Sequence, residues 1–368
     1  MRRGHHDCRR AIPLLGSGLL AAVTLVAAAA AAAATQPLPE APKPSGPLAQ
    51  YRYLAEVRLA GDGGWDYLSI DAVARRLYVA HGDHVDVLDI DHNTAVGRID
   101  DTPGVHGIAI AREINRGFIS DGQSSQASIV DLQSLATIAR TSTGAGPDAI
   151  VYEPTGNEVY TFNGRDLSAT VFKARTGEMV ASIALPGKPE FAVVDPATGR
   201  IYDNIEDKNL LVAIDVHTHA IVNRWPLAPC ESPSGIGIDT AHHRLFVGCH
   251  NQRMLMIDAG SGRVVDSVPI GAGVDANAFD PGTQLAFSAN GEGTVTIAHE
   301  DTPEKLSVLQ TLRTQPGART LALDPRTHNI YLATADRVPA ADPSAGRPAI
   351  VPGSFRILIY GPAREASP

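Results

Sequence analysis

The sequence lacks the short motifs by which common catalytic centres are found. It contains no GxSxG nucleophile elbow, no phosphate-binding loop, no CxxCH haem motif and no HExxH zinc motif. Beyond the first 34 residues it contains no cluster of Lys and Arg that could bind a phosphate backbone, so nucleic acid is not expected as a partner. No local signature names an activity, and any functional site must be assembled from residues far apart in the chain.

The N-terminal residues 1–34 have the pattern of a secretory signal peptide. Four arginines stand within the first ten residues, an apolar run follows over residues 11–26, and an Ala-rich tract ends near Ala34. An uncleaved membrane anchor is the alternative interpretation. Residues 35–50 are Pro-rich and are predicted to form an extended linker.

Cleavage after residue 34 would leave a strongly acidic chain. The remaining residues carry 27 Lys and Arg against 39 Asp and Glu, a net charge of −12, compared with −9 for the whole sequence. We therefore expect a soluble monomer that is periplasmic or secreted, with no stable membrane span once the signal peptide is removed.

A unit of about 42 residues occurs seven times. In each unit an apolar stretch ends at an anchor residue and a polar turn follows. The anchors are Asp71, Ala111, Glu153, Asp195, Asp239, Asp280 and Asp324. They are 40 to 44 residues apart, and an aromatic residue follows each of them after seven positions. These aromatic residues are Tyr78, Phe118, Tyr160, Tyr202, Phe246, Phe287 and Tyr331.

Each unit contains four short strands separated by turn residues, as in an up-and-down β-meander. One such sheet cannot bury both of its faces, whereas seven sheets arranged radially can pack on one another. The sequence therefore predicts an all-β, seven-bladed β-propeller of four-stranded antiparallel blades over residues 51–362, with residues 363–368 as a C-terminal tail.

The last unit has only three strands before the chain ends. The segment YRYLAEVRLAG at residues 51–61 resembles the fourth strands of the other units and precedes the first anchor. Because an unpaired edge strand is a liability, we expect this N-terminal strand to close the last blade.

The stretches LYVAH, FSAN and YLAT resemble the YVTN repeat of bacterial seven-bladed β-propellers, which include the YncE-like periplasmic proteins. The resemblance covers about residues 51–361. It implies a seven-bladed propeller, export, and binding of a ligand or a partner protein, and related propellers include lactonases. The chain departs from the repeat at Ile205, Cys249 and Thr334, where the Asn of the motif is missing.

Polar residues are predicted to collect on one face of the ring, which we call the top face. The loop that enters the innermost strand and the loop between the second and third strands both open on this face. Five positions before the anchors stand Asp66, His106, Asp148, Glu190, Ser234, Asp275 and Arg319. We expect these seven residues, the polar ring, to surround the mouth of the central channel. Capping of strand ends beside water is the alternative.

The other top loops add more polar side chains, and Trp65 adds an aromatic wall. These loops contribute His81, Asp83, His84, Asp121, Asn163, Arg165, Asp166, Glu206, Asp207, His250, Asn251, Asn290 and Glu292. The predicted ligand-binding set is Trp65, Asp66, His81, His106, Asp148, Asn163, Arg165, Glu190, His250, Asn251, Asp275, Asn290 and Arg319. The histidines of the bottom turns, His217, His219, His242 and His243, are assigned no role.

We call the mouth of the channel, with the polar residues around it, the funnel. Two kinds of divalent cation fit it. A hard cation such as Ca²⁺ prefers carboxylate and amide oxygens. These would come from Asp66, Asp148, Glu190, Asp275, Asn163 and Asn290. A softer cation such as Zn²⁺ prefers imidazole with a carboxylate, which His106, His250 and Glu190 would supply. No local spacing decides between the two.

We predict that the protein binds a small molecule or a periplasmic protein partner in the funnel, and the identity of the ligand stays open. The alternative is a metal-dependent lactonase or related hydrolase. In that case a cation would polarise a carbonyl or activate water, and the candidate catalytic residues are His106, His250 and Glu190.

Two cysteines remain once Cys8 of the signal peptide is removed. The repeat places Cys230 in the loop entering the fifth blade and Cys249 at the top of that blade's second strand. We predict a disulfide between them, and two free thiols are the alternative. Residues 336–353 form a long loop on the top face of the last blade, either a disordered insertion or a lid over the funnel.

Overall fold

The computed structural model describes residues 50–338 and 349–363. The predicted signal peptide, residues 339–348 of the long loop and the end of the tail lie outside these described residues. The described chain forms seven sheets of four antiparallel strands arranged in a ring, with two short 3-10 turns, Arg112–Ile114 and Glu206–Lys208. The predicted propeller fold is confirmed. Within this described part of the chain, no helix is long and apolar enough to cross a membrane.

Strands follow chain order from the innermost to the outermost position in the first six blades. The first strand of the chain is β1 (Tyr51–Arg58). Blade 1 contains β2 (Trp65–Asp71), β3 (Arg76–His81), β4 (His84–Asp89) and β5 (Thr94–Ile99). Blade 2 contains β6 (Val105–Ala111), β7 (Arg116–Asp121), β8 (Gln126–Asp131) and β9 (Thr137–Ser142). Blade 3 contains β10 (Pro147–Glu153), β11 (Glu158–Asn163), β12 (Ser168–Lys173) and β13 (Met179–Ala184).

The second half of the ring repeats this order. Blade 4 contains β14 (Pro189–Asp195), β15 (Arg200–Ile205), β16 (Leu210–Asp215) and β17 (Ala220–Pro226). Blade 5 contains β18 (Pro233–Asp239), β19 (Arg244–Cys249), β20 (Arg253–Asp258) and β21 (Val264–Pro269). Blade 6 contains β22 (Val274–Asp280), β23 (Leu285–Asn290), β24 (Thr294–Thr302) and β25 (Lys305–Arg313). Blade 7 contains β26 (Leu321–Leu323), β27 (Ile330–Thr334), β28 (Arg356–Pro362) and β1.

The repeated aromatic residues lie in the cores of the blades. All seven are buried, with at most 3 % of the surface of any of them exposed. The apolar clusters join neighbouring blades: one holds Tyr78 of blade 1 with Ile119 of blade 2, and another holds Phe246 of blade 5 with Ala286 of blade 6. Full burial of such a side chain is worth about 1.5–3 kcal/mol, so each repeated aromatic stabilises the packing of its blade.

The anchor residues explain the polar turns on the bottom face. The carboxylate of Asp71 accepts the backbone N–H of Val73, and the other acidic anchors bind the residue two positions on in the same way. This is the Asx-type turn that short acidic side chains favour. Ala111 has no carboxylate, and blade 2 uses the 3-10 turn Arg112–Ile114 at this point.

Four positions after each anchor the chain adopts the left-handed conformation. The residues are Arg75, Asn115, Asn157, Gly199, His243, Gln284 and His328, with φ between 52° and 63°. Some of these side chains reach the anchor of the preceding blade, as Arg75 does with Asp324 at 2.8 Å and His328 with Asp280 at 2.6 Å. His328 therefore connects two blades, and His219 does the same through Glu158 of blade 3, at 2.7 Å.

The N-terminal strand closes the ring as predicted. β1 pairs antiparallel with β28 from Tyr51↔Pro362 to Arg58↔Arg356. The hydroxyl of Tyr51 donates to the carbonyl of His328 at 2.8 Å. The backbone of Tyr51 also exchanges two hydrogen bonds with the Gln310 side chain of blade 6, at 2.8 and 2.9 Å. The strand thus completes blade 7 and ties it to blade 6.

The predicted disulfide is present. Cys230 and Cys249 are joined, with 5.4 Å between their Cα atoms. Both are buried. The bond fastens the loop that enters blade 5 to the end of β19, and the next residue, His250, is held at the top face by backbone hydrogen bonds to Glu231 and Ser232.

Removal of β1 should destabilise the whole ring, because it leaves the outer edge of β28 unpaired and removes the contacts of Tyr51. A chain that begins at Gly61 is expected to unfold at a much lower temperature than a chain that begins at Gly46. Thermal unfolding followed by circular dichroism measures the difference. Equal unfolding temperatures for the two chains would contradict closure by the N-terminal strand.

Loss of the disulfide should lower the free energy of unfolding by about 3 kcal/mol, the value for a closed loop of this length. Cys230→Ser combined with Cys249→Ser tests this by denaturant unfolding. Thiol titration of the denatured, unreduced chain that begins at Gly46 should find no free thiol, and two titratable thiols would refute the bond.

Candidate functional site

The polar ring is positioned by a β-bulge that recurs in six blades. In blade 1, Trp65 pairs with His81 and Leu68 pairs with Val79, so the inner strand carries one extra residue. The same shift occurs at this point in blades 2 to 6. A bulge takes side chains out of the regular alternation and re-aims them. The residue five positions before the anchor lies in the bulge each time, and this directs it towards the channel mouth.

One side of the ring is built around an imidazole between two carboxylates. The Nδ1 atom of His106 lies 2.6 Å from Oδ2 of Asp66 and 3.5 Å from Oδ1 of Asp148. Burial alone would lower the pKa of His106, but the hydrogen bond to Asp66 and the charges of Asp148, Asp66 and Glu190 outweigh it and raise this pKa to about 9. The three residues place one ligand atom each within 4.8 Å of one another, the spacing that a metal ion requires.

The opposite side of the ring holds two further partly buried carboxylates with cationic partners. Lys188 donates to Glu190 at 3.1 Å and to Glu206 at 2.5 Å. Burial and the charge of Asp148 raise the pKa of Glu190 to about 8, although Lys188 opposes this. Asp275 forms an ion pair with Arg319, and burial still raises the pKa of this carboxyl.

Tyr67 and Phe191 close the channel below the ring. Their ring centroids lie 4.7 Å apart in an edge-on arrangement, although the residues come from blades 1 and 4. Burial raises the pKa of Tyr67, and the charges of Asp148, Glu190, Asp66 and Asp275 add to the increase. The phenol therefore lies within electrostatic reach of four carboxylates and forms the floor of the site.

The polar ring opens into a cavity of about 780 Å³. Of the predicted set, the residues that line it are Asp66, Asp148, Glu190, His250, Asp275 and Arg319. Ala335 and the first residues of the long loop, Asp336 and Arg337, also line the cavity, so this end of the loop borders the funnel. A smaller depression of about 280 Å³ is lined by Trp65, His106 and Arg165. Arg337 lies 5.3 Å above the Trp65 ring.

Four predicted binding residues lie outside both cavities. Asn163 and Asn290 are fully buried inside their blades, where they hydrogen-bond to serine and threonine hydroxyls. His81 is also fully buried, next to Asp86. Asn251 donates to the carbonyl of Pro229 at 2.7 Å and so supports the loop at Cys230. These four side chains form hydrogen bonds within their own blades or loops and line neither cavity.

Sequence reasoning missed several residues that line the funnel. They are Tyr67, Lys188, Gln315, Asp336 and Arg337. Tyr67 and Lys188 are within two positions of a predicted ring residue, so a search around each bulge would have found them. Gln315 and Asp336 hydrogen-bond to each other at 2.8 Å, a pairing across 21 residues that no local pattern indicates.

Asp203 of β15 lies beneath the ring and is fully buried. Neither of its carboxylate oxygens makes a hydrogen bond of normal geometry within the described residues. Burial raises its pKa well above the ordinary value, and the charges of Glu190 and Asp148 add to this effect. The funnel therefore has a surplus of carboxyl groups that protonation relieves.

Comparisons with known proteins support the fold but do not indicate an activity. No protein-family model matches the chain, and no curated protein matches its sequence. A solved structure of hydrazine synthase from Kuenenia stuttgartiensis is similar, with a TM-score of 0.66 and 16 % sequence identity. The match covers 77 % of this chain and 96 % of that chain. At this identity the likeness shows a shared fold alone.

The raised pKa of Asp203 predicts how its replacement changes stability with pH. Folding of the parent loses stability as pH rises above the unfolded-state pKa of Asp, near 3.9, because the buried carboxyl resists ionisation. Asp203→Asn removes this loss. We expect the free energy of unfolding of the variant, relative to the parent, to increase with pH from about pH 4 towards neutrality.

Denaturant unfolding at a series of pH values measures this difference. Glu178→Gln, a substitution at an exposed bottom turn, serves as the control and should leave the pH profile unchanged. A constant difference between the Asp203→Asn variant and the parent at all pH values would mean that Asp203 is ionised in the folded protein.

Proposed function

We propose that the protein is an exported, YVTN-like propeller that binds a small cationic ligand, a divalent metal ion or a compact amine, in its top funnel. The observation that carries this proposal is the cluster Asp66, His106 and Asp148. Its ligand atoms lie within 4.8 Å of one another, and Oδ1 of Asp148 is buried without a hydrogen-bond partner among the described residues.

The charges around the funnel favour a cation. The cavity is lined by six carboxylates, Asp66, Asp148, Glu190, Glu206, Asp275 and Asp336. Three permanent cations oppose them, Lys188, Arg319 and Arg337. Burial raises the pKa of Asp148 to about 6 and that of Glu190 to about 8. Carboxyl groups that hold protons near neutral pH release them when a bound cation takes over the same role.

The donor set is compatible with either class of metal considered above. Carboxylate oxygens from Asp66 and Asp148 suit Ca²⁺, and the addition of the His106 imidazole suits Zn²⁺. Glu190 and Asp275 lie in the same cavity and would balance the charge of a larger ligand. The loop residues Asp336 and Arg337 would contact the outer part of such a ligand.

A hydrolase is the second candidate, and one arrangement favours it. Asp66 orients the His106 ring through a 2.6 Å contact, as a carboxylate orients a general base in many hydrolytic sites. The ring would serve as a base once a bound cation lowers its pKa from about 9. Glu190, with a pKa of about 8, would be a proton donor at neutral pH. In this alternative the cation would polarise a lactone or ester carbonyl.

Export forms part of the proposal. Residues 1–34 have the composition of a signal peptide. The Cys230–Cys249 disulfide is consistent with an oxidising compartment. A small molecule or a periplasmic protein remains the expected partner, and the cavity of about 780 Å³ falls in the size range of small-ligand sites.

Cation binding should strengthen as pH rises. Asp148 and Glu190 must lose their protons before they can hold a cation, so affinity should increase between pH 6 and pH 8. Calorimetric titration of chelator-treated protein with Ca²⁺, Zn²⁺ and a primary amine at both values measures this. Asp148→Asn should weaken binding of the preferred cation about tenfold or more, which corresponds to about 1.4 kcal/mol.

Glu178→Gln removes one carboxylate from an exposed bottom turn and is the matched control. It should leave the affinity unchanged. If Asp148→Asn binds as tightly as the control, the funnel is not the cation site. A panel of lactones and esters, assayed with and without chelator, then separates the two candidates: chelator-sensitive turnover would establish the hydrolase and refute binding alone.

A further inference from the structure

The second strand of every blade ends in a buried position that we call the top slot. It lies ten residues after the anchor and is occupied by His81, Asp121, Asn163, Ile205, Cys249, Asn290 and Thr334. All seven side chains are fully buried. In blades 1, 3 and 6 the slot residue contacts two residues at the start of the third strand, so the same three positions can be compared in these blades.

In blades 3 and 6 the slot is a closed set of hydrogen bonds. Asn163 donates to the hydroxyls of Ser168 at 3.1 Å and Thr170 at 3.0 Å. Asn290 donates to Thr294 at 3.1 Å and Thr296 at 3.2 Å. In this form the asparagine amide nitrogen has its partners, as buried polar groups require.

Blade 1 fills the same three positions with metal-ligating side chains. His81 stands opposite His84 in the β3–β4 register, and Asp86 stands opposite Val79. This is the geometry that Asn163, Ser168 and Thr170 have in blade 3. The side chains of His81, His84 and Asp86, the blade 1 cluster, place one ligand atom each within 4.8 Å of one another. None of these residues is more than 8 % exposed.

Two imidazole nitrogens in this cluster are left without hydrogen bonds. The Nε2 atoms of His81 and His84 are both buried and have no hydrogen-bond partner of normal geometry within the described residues. Nε2 of His84 faces Oδ2 of Asp86 at 3.4 Å. In a tetrahedral zinc site two ligand atoms lie about 3.4 Å apart, given bonds of about 2.0–2.2 Å. A cation between Nε2 of His84 and Oδ2 of Asp86 could therefore bind to both atoms.

The other ring nitrogens are already held by carboxylates. Nδ1 of His84 lies 3.0 Å from Oδ1 of Asp83, and Nδ1 of His81 lies 2.9 Å from Oδ2 of Asp86. Metal-binding histidines commonly bind a carboxylate through the nitrogen that does not face the metal, and the contact of His84 with Asp83 is of this kind. The carboxylate beside His81 belongs to Asp86, which is itself a candidate ligand. The contact with Asp83 leaves Nε2 as the metal-facing atom of His84.

We propose that His81, His84 and Asp86 bind a divalent transition metal of the zinc class at the top of blade 1. Two imidazoles and one carboxylate select such a metal over Ca²⁺ or Mg²⁺, which prefer oxygen ligands. The site is separate from the funnel, because none of the three residues lines the cavity of about 780 Å³.

The site lies where the chain passes from blade 7 into blade 1. The connection between β1 and β2 crosses the His81 ring so closely that a Cβ atom at Gly61 would lie 2.7 Å from its Cε1. Phe355, which precedes β28, stacks on the same ring with 4.0 Å between the centroids. A bound metal would therefore hold the junction that closes the ring, and its role is structural.

The experiment measures zinc content and thermal stability of the purified full chain. The chain is treated with chelator, supplied with Zn²⁺ and dialysed, and bound zinc is determined by elemental analysis. We expect the parent to keep one zinc ion more per chain than the triple variant His81→Asn, His84→Ser and Asp86→Thr. This variant reproduces the residues of the blade 3 slot, so its hydrogen bonds are replaced and it should fold.

Zn²⁺ should raise the unfolding temperature of the parent by several degrees more than that of the triple variant. Asp148→Asn, which alters only the funnel, should keep the blade 1 zinc and its stabilisation. Loss of the blade 1 zinc in Asp148→Asn instead would assign that ion to the funnel. Equal zinc content in the parent and the triple variant would refute the site.

If the triple variant does not fold, His84→Gln and the visible spectrum of the Co²⁺-loaded parent replace it. Tetrahedral nitrogen and oxygen ligation gives cobalt intense absorption bands, which should be present in the parent and absent in His84→Gln. Weak absorption bands in the parent, as octahedral Co²⁺ gives, would overturn the proposal. In that case His84 is a protonated imidazole shared between Asp83 and Asp86.

Discussion

The pairing of β1 with β28 is the constraint on which the rest of the molecule depends. It converts an open row of seven blades into a ring without a free edge, because Tyr51 to Arg58 supply the strand that blade 7 lacks. Only in a closed ring does β26 contact β2, so that every innermost strand has a neighbour on both sides. The diameter of the channel, and with it the distance between residues of opposite blades, follows from this closure.

The bulges in the innermost strands convert this ring into a polar funnel. Each adds one residue at the same height, and in six blades the re-aimed side chain is polar. Four carboxylates thus converge on one mouth above an aromatic floor. Burial raises the pKa of Asp148, Glu190 and Asp275, and the repulsion between the carboxylates adds to the increase. Such an arrangement is unfavourable unless protons or a cationic ligand compensate the charge.

The top slot shows how one repeated position can carry different chemistry. Hydrogen bonds close it in blades 3 and 6, through Asn163 and Asn290. Cys249 closes it in blade 5 by a disulfide to the incoming loop. In blade 1, His81 occupies it beside two further metal-ligating residues. In each case the slot secures the end of the second strand at the top face, which also carries the loops around the funnel.

The sequence by itself determined the number of blades, the buried aromatic residues, the ring closure and the disulfide. These features depend on a repeat of about 42 residues, and such a repeat can be recognised from the order of residues alone. It also indicated the seven residues of the polar ring, since they stand at a constant distance from the anchors.

Only the tertiary structure decided which polar residues of the top loops line the funnel. Asn163, Asn290 and His81 share top loops with residues that line one of the two cavities, yet they are buried inside their blades. Tyr67 of blade 1 meets Phe191 of blade 4, and His106 of blade 2 meets Asp148 of the next blade. Such contacts depend on the rotation of each blade and on the width of the channel, and these are properties of the closed ring that no single repeat contains.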